Sequence, residues 1–225
     1  MKKVSIVFVH GLWADGSCWS EVAPALIAEG HEVISVQNPL STLADDVAAT
    51  ERAFAKLEAP IVLVGHSWGE IVITAAGINP KVKALVYVAA FAPDENETFS
   101  ELTQDYPTAI LQHLEFVDGY IWLTREGIQK HFAADLLEKQ WELIHCTQGP
   151  AAALLLGEKM TKPAWKEKSS WYIIAKNDQA ISPVLQDIMA KRIGAKIAEL
   201  ETSHVPMMSK PEEVLKVIRE AIASV

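Results

Sequence analysis

Apolar runs alternate with helical patterns along most of the chain. Short runs rich in β-branched residues predict six strands, at Val4 to Val9, Glu32 to Val36, Pro60 to Val64, Val82 to Ala90, Ser170 to Ala175 and Lys196 to Leu200. Helical patterns lie between and after them, at Cys18 to Glu29, Leu43 to Leu57, Gly69 to Ile78, Val184 to Ile193 and Pro211 to Ala223. This alternation predicts an α/β fold, with a mostly parallel six-stranded sheet and helices on both faces.

One long segment interrupts the alternation between the fourth and fifth predicted strands. Residues 94–168 show no strand-like pattern and include a helical stretch from Glu126 to His145. The segment is too long for an ordinary loop. We therefore predict a helical cap at residues 94–168, inserted into a core formed by residues 1–93 and 169–225 and lying over the carboxyl edge of its sheet.

Composition narrows the class of protein. The chain has 225 residues and a formal charge of −9, with both signs interspersed, which argues against a nucleic-acid partner. Its longest uncharged apolar stretch, Ala84 to Ala92, is far short of the roughly 20 residues that span a bilayer, so we expect no membrane helix. Cys18 and Cys146 lie far apart, which favours a reduced, cytoplasmic protein. No metal-type cluster is evident, and the sequence indicates no particular oligomeric state.

The pentapeptide Gly65-His66-Ser67-Trp68-Gly69 carries the chemistry. It follows the apolar run Ile61 to Val64 and precedes a helical pattern, which is the setting of a nucleophile elbow. In such an elbow the serine adopts a strained conformation at the end of a strand, and the glycines allow neighbouring backbone to approach closely. Ser67 is therefore the candidate nucleophile of a hydrolase.

A capping role is the alternative for Ser67. The pattern Ser67-x-x-Glu70 also matches a capping box, in which the serine hydroxyl only satisfies a helix amide. The nucleophile interpretation alone requires a carboxylate and then a histidine later in the chain, each following a strand.

Both required residues are present in that order. Asp178 follows the predicted strand that ends at Ala175, and His204 lies between the last strand and the last helix. Asp94, after the fourth strand, is a rival acid, but the order and spacing toward His204 favour Asp178. We expect Ser67, His204 and Asp178 to form a catalytic triad.

Two backbone amides are expected to bind the developing oxyanion. One belongs to Trp68, directly after the nucleophile, and the other to the loop after the first strand, most plausibly to Leu12. We expect His10 to hold that loop and His66 to pack beside the elbow. The predicted apolar pocket is formed by Leu12 and by four further side chains, namely Trp13, Phe91, Trp122 and Met207.

These residues resemble the α/β-hydrolases, in particular the small cofactor-free esterases that include plant methylesterases, hydroxynitrile lyases and their bacterial relatives. The resemblance spans nearly the whole chain. It rests on His10-Gly11 with Trp13, Gly16 and Trp19, on the elbow, on Asp178, and on His204-x-x-Met207-x-Ser209-Lys210-Pro211. It implies a six-stranded core without the family's first two strands, a helical cap, and no metal or organic cofactor.

Two positions depart from that pattern. Most elbows of the group have a small residue where this chain has Glu70, whose carboxylate either adds negative potential near the oxyanion or reaches an orphan amide. Val205 follows His204 where the lyases have a lysine, which weakens a lyase interpretation. The primary expectation is a serine hydrolase for a small or medium, largely apolar carboxylic ester. Lyase or perhydrolase and haloperoxidase chemistry, or a non-catalytic ligand-binding protein, are the alternatives.

Overall fold

The computed structural model describes residues 3–58 and 60–225. Its strands are, in chain order, β1 (Ser5–Val9), β2 (Glu32–Val36), β3 (Ile61–His66), β4 (Val82–Val88), β5 (Leu114–Val117), β6 (Tyr120–Leu123), β7 (Ala151–Ala152), β8 (Ser169–Ala175) and β9 (Lys196–Leu200). Its α-helices are α1 (Ala23–Ala28), α2 (Leu43–Lys56), α3 (Gly69–Ala76), α4 (Phe99–Thr103), α5 (Arg125–Gly127), α6 (Glu138–Thr147), α7 (Pro183–Arg192), α8 (Pro206–Ser209) and α9 (Pro211–Ala223).

The main sheet has six strands within the described residues, in the order β2-β1-β3-β4-β8-β9, and every neighbouring pair is parallel. The central strands β1 and β3 are buried along their whole length. Their mostly apolar sequences are typical of parallel strands that helices cover on both faces. The predicted parallel sheet is confirmed. The predicted helix at Cys18 to Glu29 is instead a 3₁₀ turn, Gly16–Trp19, followed by the short α1.

Helix α2 illustrates how the sequence pattern becomes packing. Its buried positions recur at helical spacing, and they include Ala49, Ala53 and Phe54. Thr42 caps the helix by accepting a hydrogen bond from the Asp45 amide at 3.0 Å. The helix packs against β1 and α3. Its Asp46 side chain contacts Trp68 of the predicted elbow.

Residues 94–168 contain strands that the predicted helical cap did not include. Strands β5, β6 and β7 form a separate antiparallel sheet there. The sequence pattern missed them because most of β5 is exposed and β7 has two residues, so neither shows alternation of buried and polar positions. The predicted helix from Glu126 to His145 is divided into α5, a π-helical turn at Ile128–Phe132, and α6.

Cys18 is buried, Cys146 is exposed, and both are free thiols. Among the described residues, no helix is long and apolar enough to cross a membrane.

Candidate active site

Ser67 lies at the turn from β3 into α3, near the middle of the main sheet. Its backbone has a φ of 53°, in the left-handed region that side chains other than glycine rarely adopt. The Ser67 amide donates to the Val88 carbonyl at 3.2 Å, which ties the turn to the end of β4. Helix α3 begins without a side-chain cap, so the structure disagrees with the alternative in which the Ser67 hydroxyl caps this helix.

Close approach of backbone explains the glycines on either side of Ser67. A Cβ at position 69 would lie 2.3 Å from the Val9 carbonyl oxygen and 2.7 Å from that of His10. A Cβ at position 65 would lie 2.9 Å from the carbonyl oxygen of Gly69. The turn therefore packs against β1 at a distance that only glycine permits.

Asp178 and His204 are brought together at the carboxyl ends of β8 and β9. The His204 Nδ1 lies 2.7 Å from the Asp178 Oδ2, and the two side chains are 1% and 0% exposed. The ring nitrogen donates in this bond, since a carboxylate oxygen only accepts. The rival acid Asp94 lies elsewhere, where it forms a half-exposed ion pair with Lys166 at 2.5 Å.

The Asp178 carboxylate is held by a network that the sequence did not reveal. Its Oδ1 accepts from the amides of Ala180 and Ile181, at 2.7 and 3.0 Å. Its Oδ2 also accepts from the Gln186 side chain at 2.7 Å. Gln186 lies on α7, is fully buried, and accepts from the Ala175 amide at 3.0 Å, so it joins the end of β8 to the acid. Nothing in the sequence distinguished this glutamine from a solvent-facing helix residue.

Ser67 and His204 line one narrow cavity of about 50 Å³. Among the described residues no hydrogen bond joins the Ser67 hydroxyl to the His204 ring, and such bonds often tighten only once substrate is bound. Leu12 and Trp68 line the same cavity, and their backbone amides make no hydrogen bond within the part of the chain that the structure describes. Two residues whose backbone N–H groups have no partner among the described residues therefore line the cavity of Ser67.

Two of the four further predicted pocket residues lie on this cavity. Trp13 and Phe91 line it, whereas Trp122 and Met207 do not. Strand β6 buries its alternate residues, so Ile121 points into the cavity and Trp122 points to the other face. Met207 is fully buried in the first turn of α8, away from the lining. The structure therefore places these two residues outside the lining of this cavity.

His10 and His66 are buried and make fixed hydrogen bonds. His10 bonds through Nδ1 to the Gly11 carbonyl at 2.8 Å, and its Nε2 accepts from the Asn38 amide at 2.9 Å, which holds the loop after β1. His66 donates from Nε2 to the His204 carbonyl at 2.7 Å. Burial lowers the pKa of both rings, for His66 well below its ordinary value, so both are neutral near pH 7.

The indole of Trp68 is anchored beneath the elbow. Its Nε1 donates to the Asp46 carboxylate at 2.8 Å, and the same carboxylate accepts from the Leu40 amide at 2.8 Å. The pKa of Asp46 is raised to about 6, mainly by burial of the carboxyl group. Helix α2 thus anchors Trp68, one of the residues that line the cavity.

Glu70 is fully buried, in the first turn of α3. One carboxyl oxygen accepts from the Val88 amide at the end of β4, and the other has no hydrogen-bond partner among the described residues. Burial raises the pKa of Glu70 well above its ordinary value, and the Val88 bond opposes this only in part. Burial therefore disfavours the charged form of this carboxyl beside the elbow. The amide that it reaches belongs to a neighbouring strand and not to its own helix.

Glu70→Gln is expected to make the protein more stable relative to wild type as the pH rises. The unfolded chain loses the Glu70 proton above its ordinary pKa of 4.5, whereas the folded protein keeps it, so wild-type stability falls as the pH rises toward the folded pKa. Glutamine keeps the acceptor for Val88 and does not ionise. Each pH unit in that window is worth about 1.4 kcal/mol, or roughly 3–6 °C in a chain of this size.

The measurement is the melting temperature of both proteins between about pH 5 and pH 8. Glu51→Gln, at an exposed position of α2, is the matched control and should show a constant difference from wild type. A difference between Glu70→Gln and wild type that stays flat with pH would contradict a protonated, buried Glu70.

A metal centre is not apparent in the described residues, where no group of three or more His, Cys, Asp or Glu side chains is placed to hold an ion.

The sequence of this chain is similar to those of several known proteins. The model of the Alpha/beta hydrolase family matches residues 6–217. A carbendazim hydrolyzing esterase of Nocardioides sp. (strain SG-4G) is 33% identical over 134 residues, which cover 52% of this chain and 53% of that protein. Methylesterase 2 of Arabidopsis thaliana is 24% identical over 249 residues, which cover 94% of this chain and 93% of that protein.

Solved structures share the fold at lower sequence identity. The crystal structure of polyneuridine aldehyde esterase superimposes with a TM-score of 0.86 at 20% identity, covering 97% of this chain and 99% of that one. The methylesterase MES16 from Arabidopsis superimposes with a TM-score of 0.81 at 19% identity, covering 99% of this chain and 100% of the other. At these identities the likeness establishes the fold.

Proposed function

Because this chain belongs to the alpha/beta hydrolase family, whose model matches residues 6–217, we propose that it is a carboxylic ester hydrolase in which Ser67 is the nucleophile. The predicted α/β-hydrolase fold is confirmed by that match and by the superpositions. Relatives named as esterases and methylesterases support ester hydrolysis as the activity.

One arrangement carries the proposal. Ser67, at a φ of 53°, lines the same cavity as His204, whose ring is held at 2.7 Å by the buried Asp178. A strained serine next to a histidine that is itself oriented by a carboxylate is the arrangement that activates a hydroxyl group.

Acylation follows from the roles of these groups. The His204 Nε2 removes the proton of the Ser67 hydroxyl as its oxygen attacks the ester carbonyl. Asp178 keeps the proton of His204 on Nδ1 and stabilises the imidazolium that forms. The amides of Leu12 and Trp68 donate to the oxyanion of the tetrahedral intermediate. His204 then protonates the departing alcohol, which leaves an acyl group on Ser67.

Deacylation repeats the sequence with water. His204 removes a proton from water as the water oxygen attacks the acyl carbonyl, and the second tetrahedral intermediate uses the same amides. Collapse of that intermediate returns the proton to Ser67 and releases the carboxylic acid.

The shape of the cavity bears on the substrate. Its free volume is about 50 Å³, and Trp13, Phe91 and Ile121 contribute apolar walls. Residues of the 94–168 segment close it on one side, among them Phe99 and Leu156. A short, apolar acyl group fits such a space better than a long or charged one.

A series of p-nitrophenyl esters tests the proposal. We expect kcat/KM to be largest for the acetate or butyrate and at least about tenfold lower for the octanoate, because added methylenes must be fitted into a closed pocket. Release of p-nitrophenolate is followed by absorbance, with heat-denatured protein as the background. Failure of the folded protein to exceed that background with any of these esters would contradict the proposal and favour the ligand-binding alternative.

A further inference from the structure

A short turn of the 94–168 segment contacts both loops that carry the proposed acid and base. It comprises residues 131–135 and is called the clamp turn here. It begins within the π-helical turn Ile128–Phe132, where the Ala133 amide donates to the Ile128 carbonyl at 2.8 Å. Such π-turns are rare and are found frequently at functional sites.

The clamp turn accepts hydrogen bonds from two consecutive amides of the histidine loop. The Ser203 amide donates to the Asp135 carboxylate at 2.8 Å, and the Ser203 hydroxyl donates to the other oxygen of that carboxylate. The His204 amide donates to the Phe132 carbonyl at 3.2 Å. The rings of Phe132 and His204 are 4.9 Å apart at their centroids, in an edge-to-face arrangement.

The same turn also reaches the loop of the acid. The His131 Nδ1 lies 2.5 Å from the side-chain oxygen of Gln179, the residue that follows Asp178. The clamp turn therefore bridges the loops after β8 and β9.

The core holds the other groups of His204. The Asp178 carboxylate accepts from its ring, and His66 donates to its carbonyl at 2.7 Å. Its amide and the preceding Ser203 are held by the 94–168 segment instead. The direction in which the His204 imidazole points from its backbone thus depends on contacts from the core and from the 94–168 segment.

We propose that the clamp turn aligns the histidine loop with Ser67, and that Asp135 is the positioning residue through which it does so. A carboxylate that accepts two hydrogen bonds from one serine makes a charge-assisted, two-point attachment, which fixes direction as well as distance. Displacement of a base by a fraction of an ångström weakens proton transfer, because the reacting atoms must lie within hydrogen-bond reach. This proposal rests on the proposed function, and it makes docking of the 94–168 segment a condition for an active triad.

Asp135→Ala tests the attachment, with Ser203→Ala as a second variant on the other side of the same bonds. Asp118→Asn is the control, because Asp118 lies at the exposed β5–β6 turn, where its φ of 51° is one that asparagine tolerates. Asp135 is itself exposed, so its replacement leaves the core intact. The full-length protein is used throughout.

Three readouts are compared. The rate at which a fluorophosphonate labels Ser67 should fall about tenfold in Asp135→Ala and in Ser203→Ala, and remain unchanged in Asp118→Asn. With p-nitrophenyl butyrate, kcat should fall while KM stays near the wild-type value, since Asp135 does not line the cavity of Ser67. Deuterium exchange of the Ser203 and His204 amides should become faster in Asp135→Ala and in the double variant Asp135→Ala/Ser203→Ala. It should not become faster in Asp118→Asn.

The outcomes separate this proposal from the proposed function. Wild-type labelling rates in Asp135→Ala would overturn the clamp, whether or not amide exchange becomes faster. A decrease in kcat accompanied by an equal increase in KM would also overturn it. A folded wild type that is not labelled at all would refute the serine mechanism, and amide exchange would then still report whether Asp135 holds the loop.

Discussion

Ser67→Ala is expected to reduce ester hydrolysis by about 10⁴-fold or more, because the hydroxyl that would form the acyl intermediate is lost. Alanine removes only the hydroxyl. That hydroxyl makes no hydrogen bond within the described residues, so the fold should be retained. The residual rate would reflect binding and the free amides of Leu12 and Trp68.

The measurement is kcat/KM for p-nitrophenyl butyrate, with circular dichroism to confirm folding. Ser20→Ala is the matched control, since Ser20 is exposed and lies outside the cavity of Ser67. We expect the control to match wild type. Retention of activity by folded Ser67→Ala would mean that another group attacks the ester.

Asp178→Asn is expected to lower kcat by roughly 10⁴-fold, the size of effect seen when the acid of such a triad is converted to its amide. The Asp178 carboxylate is the acceptor in all of its hydrogen bonds, including those from the Ala180 amide and the Gln186 side chain. An amide group has one acceptor oxygen and one donor nitrogen, so it cannot accept from all of these groups at once. With the Ala180 bond retained, its nitrogen faces His204 and favours the tautomer that cannot act as a base toward Ser67.

The sharpest control for this prediction is Asp94→Asn. It makes the same change at the rival acid, which forms a half-exposed ion pair with Lys166. Ion pairs of this kind contribute about 0–1 kcal/mol, so we expect activity within about twofold of wild type. The reverse pattern, in which Asp94→Asn inactivates and Asp178→Asn does not, would exchange the roles assigned to these carboxylates.

Local sequence patterns predicted the parallel sheet well, because strand-like runs alternate with helical patterns along the chain. The predicted limits of the strand Lys196–Leu200 and of the helix Pro211–Ala223 agree with β9 and α9. The pairing of Asp178 with His204 was also predictable, since parallel strands end at one edge of the sheet and each residue follows such a strand.

Side-chain direction within the 94–168 segment was not predictable from the same patterns. Trp122 was expected in the pocket, but Ile121 occupies the cavity-facing position of β6. A shift of one residue along a strand moves its side chains to the opposite face of the sheet. Strand β6 is short and pairs with the mostly exposed β5, so the sequence shows too little alternation to indicate which residues of β6 face the cavity.

Tertiary contacts between distant parts of the chain were equally hidden. Gln186 and Asp135 are polar residues with no motif around them, and their roles arise because folding brings them to Asp178 and Ser203. Glu70 was recognised as unusual from the sequence. Its partner, the Val88 amide, depends on the pairing of β3 with β4 and could not be identified beforehand.

The most direct test of an activated Ser67 is mass spectrometry of the folded wild type after treatment with a fluorophosphonate. The triad predicts a single phosphonyl adduct, which peptide mapping places on Ser67, because only a serine with an adjacent base reacts rapidly with this reagent. Absence of an adduct, or an adduct on another residue with Ser67 unmodified, would contradict the account.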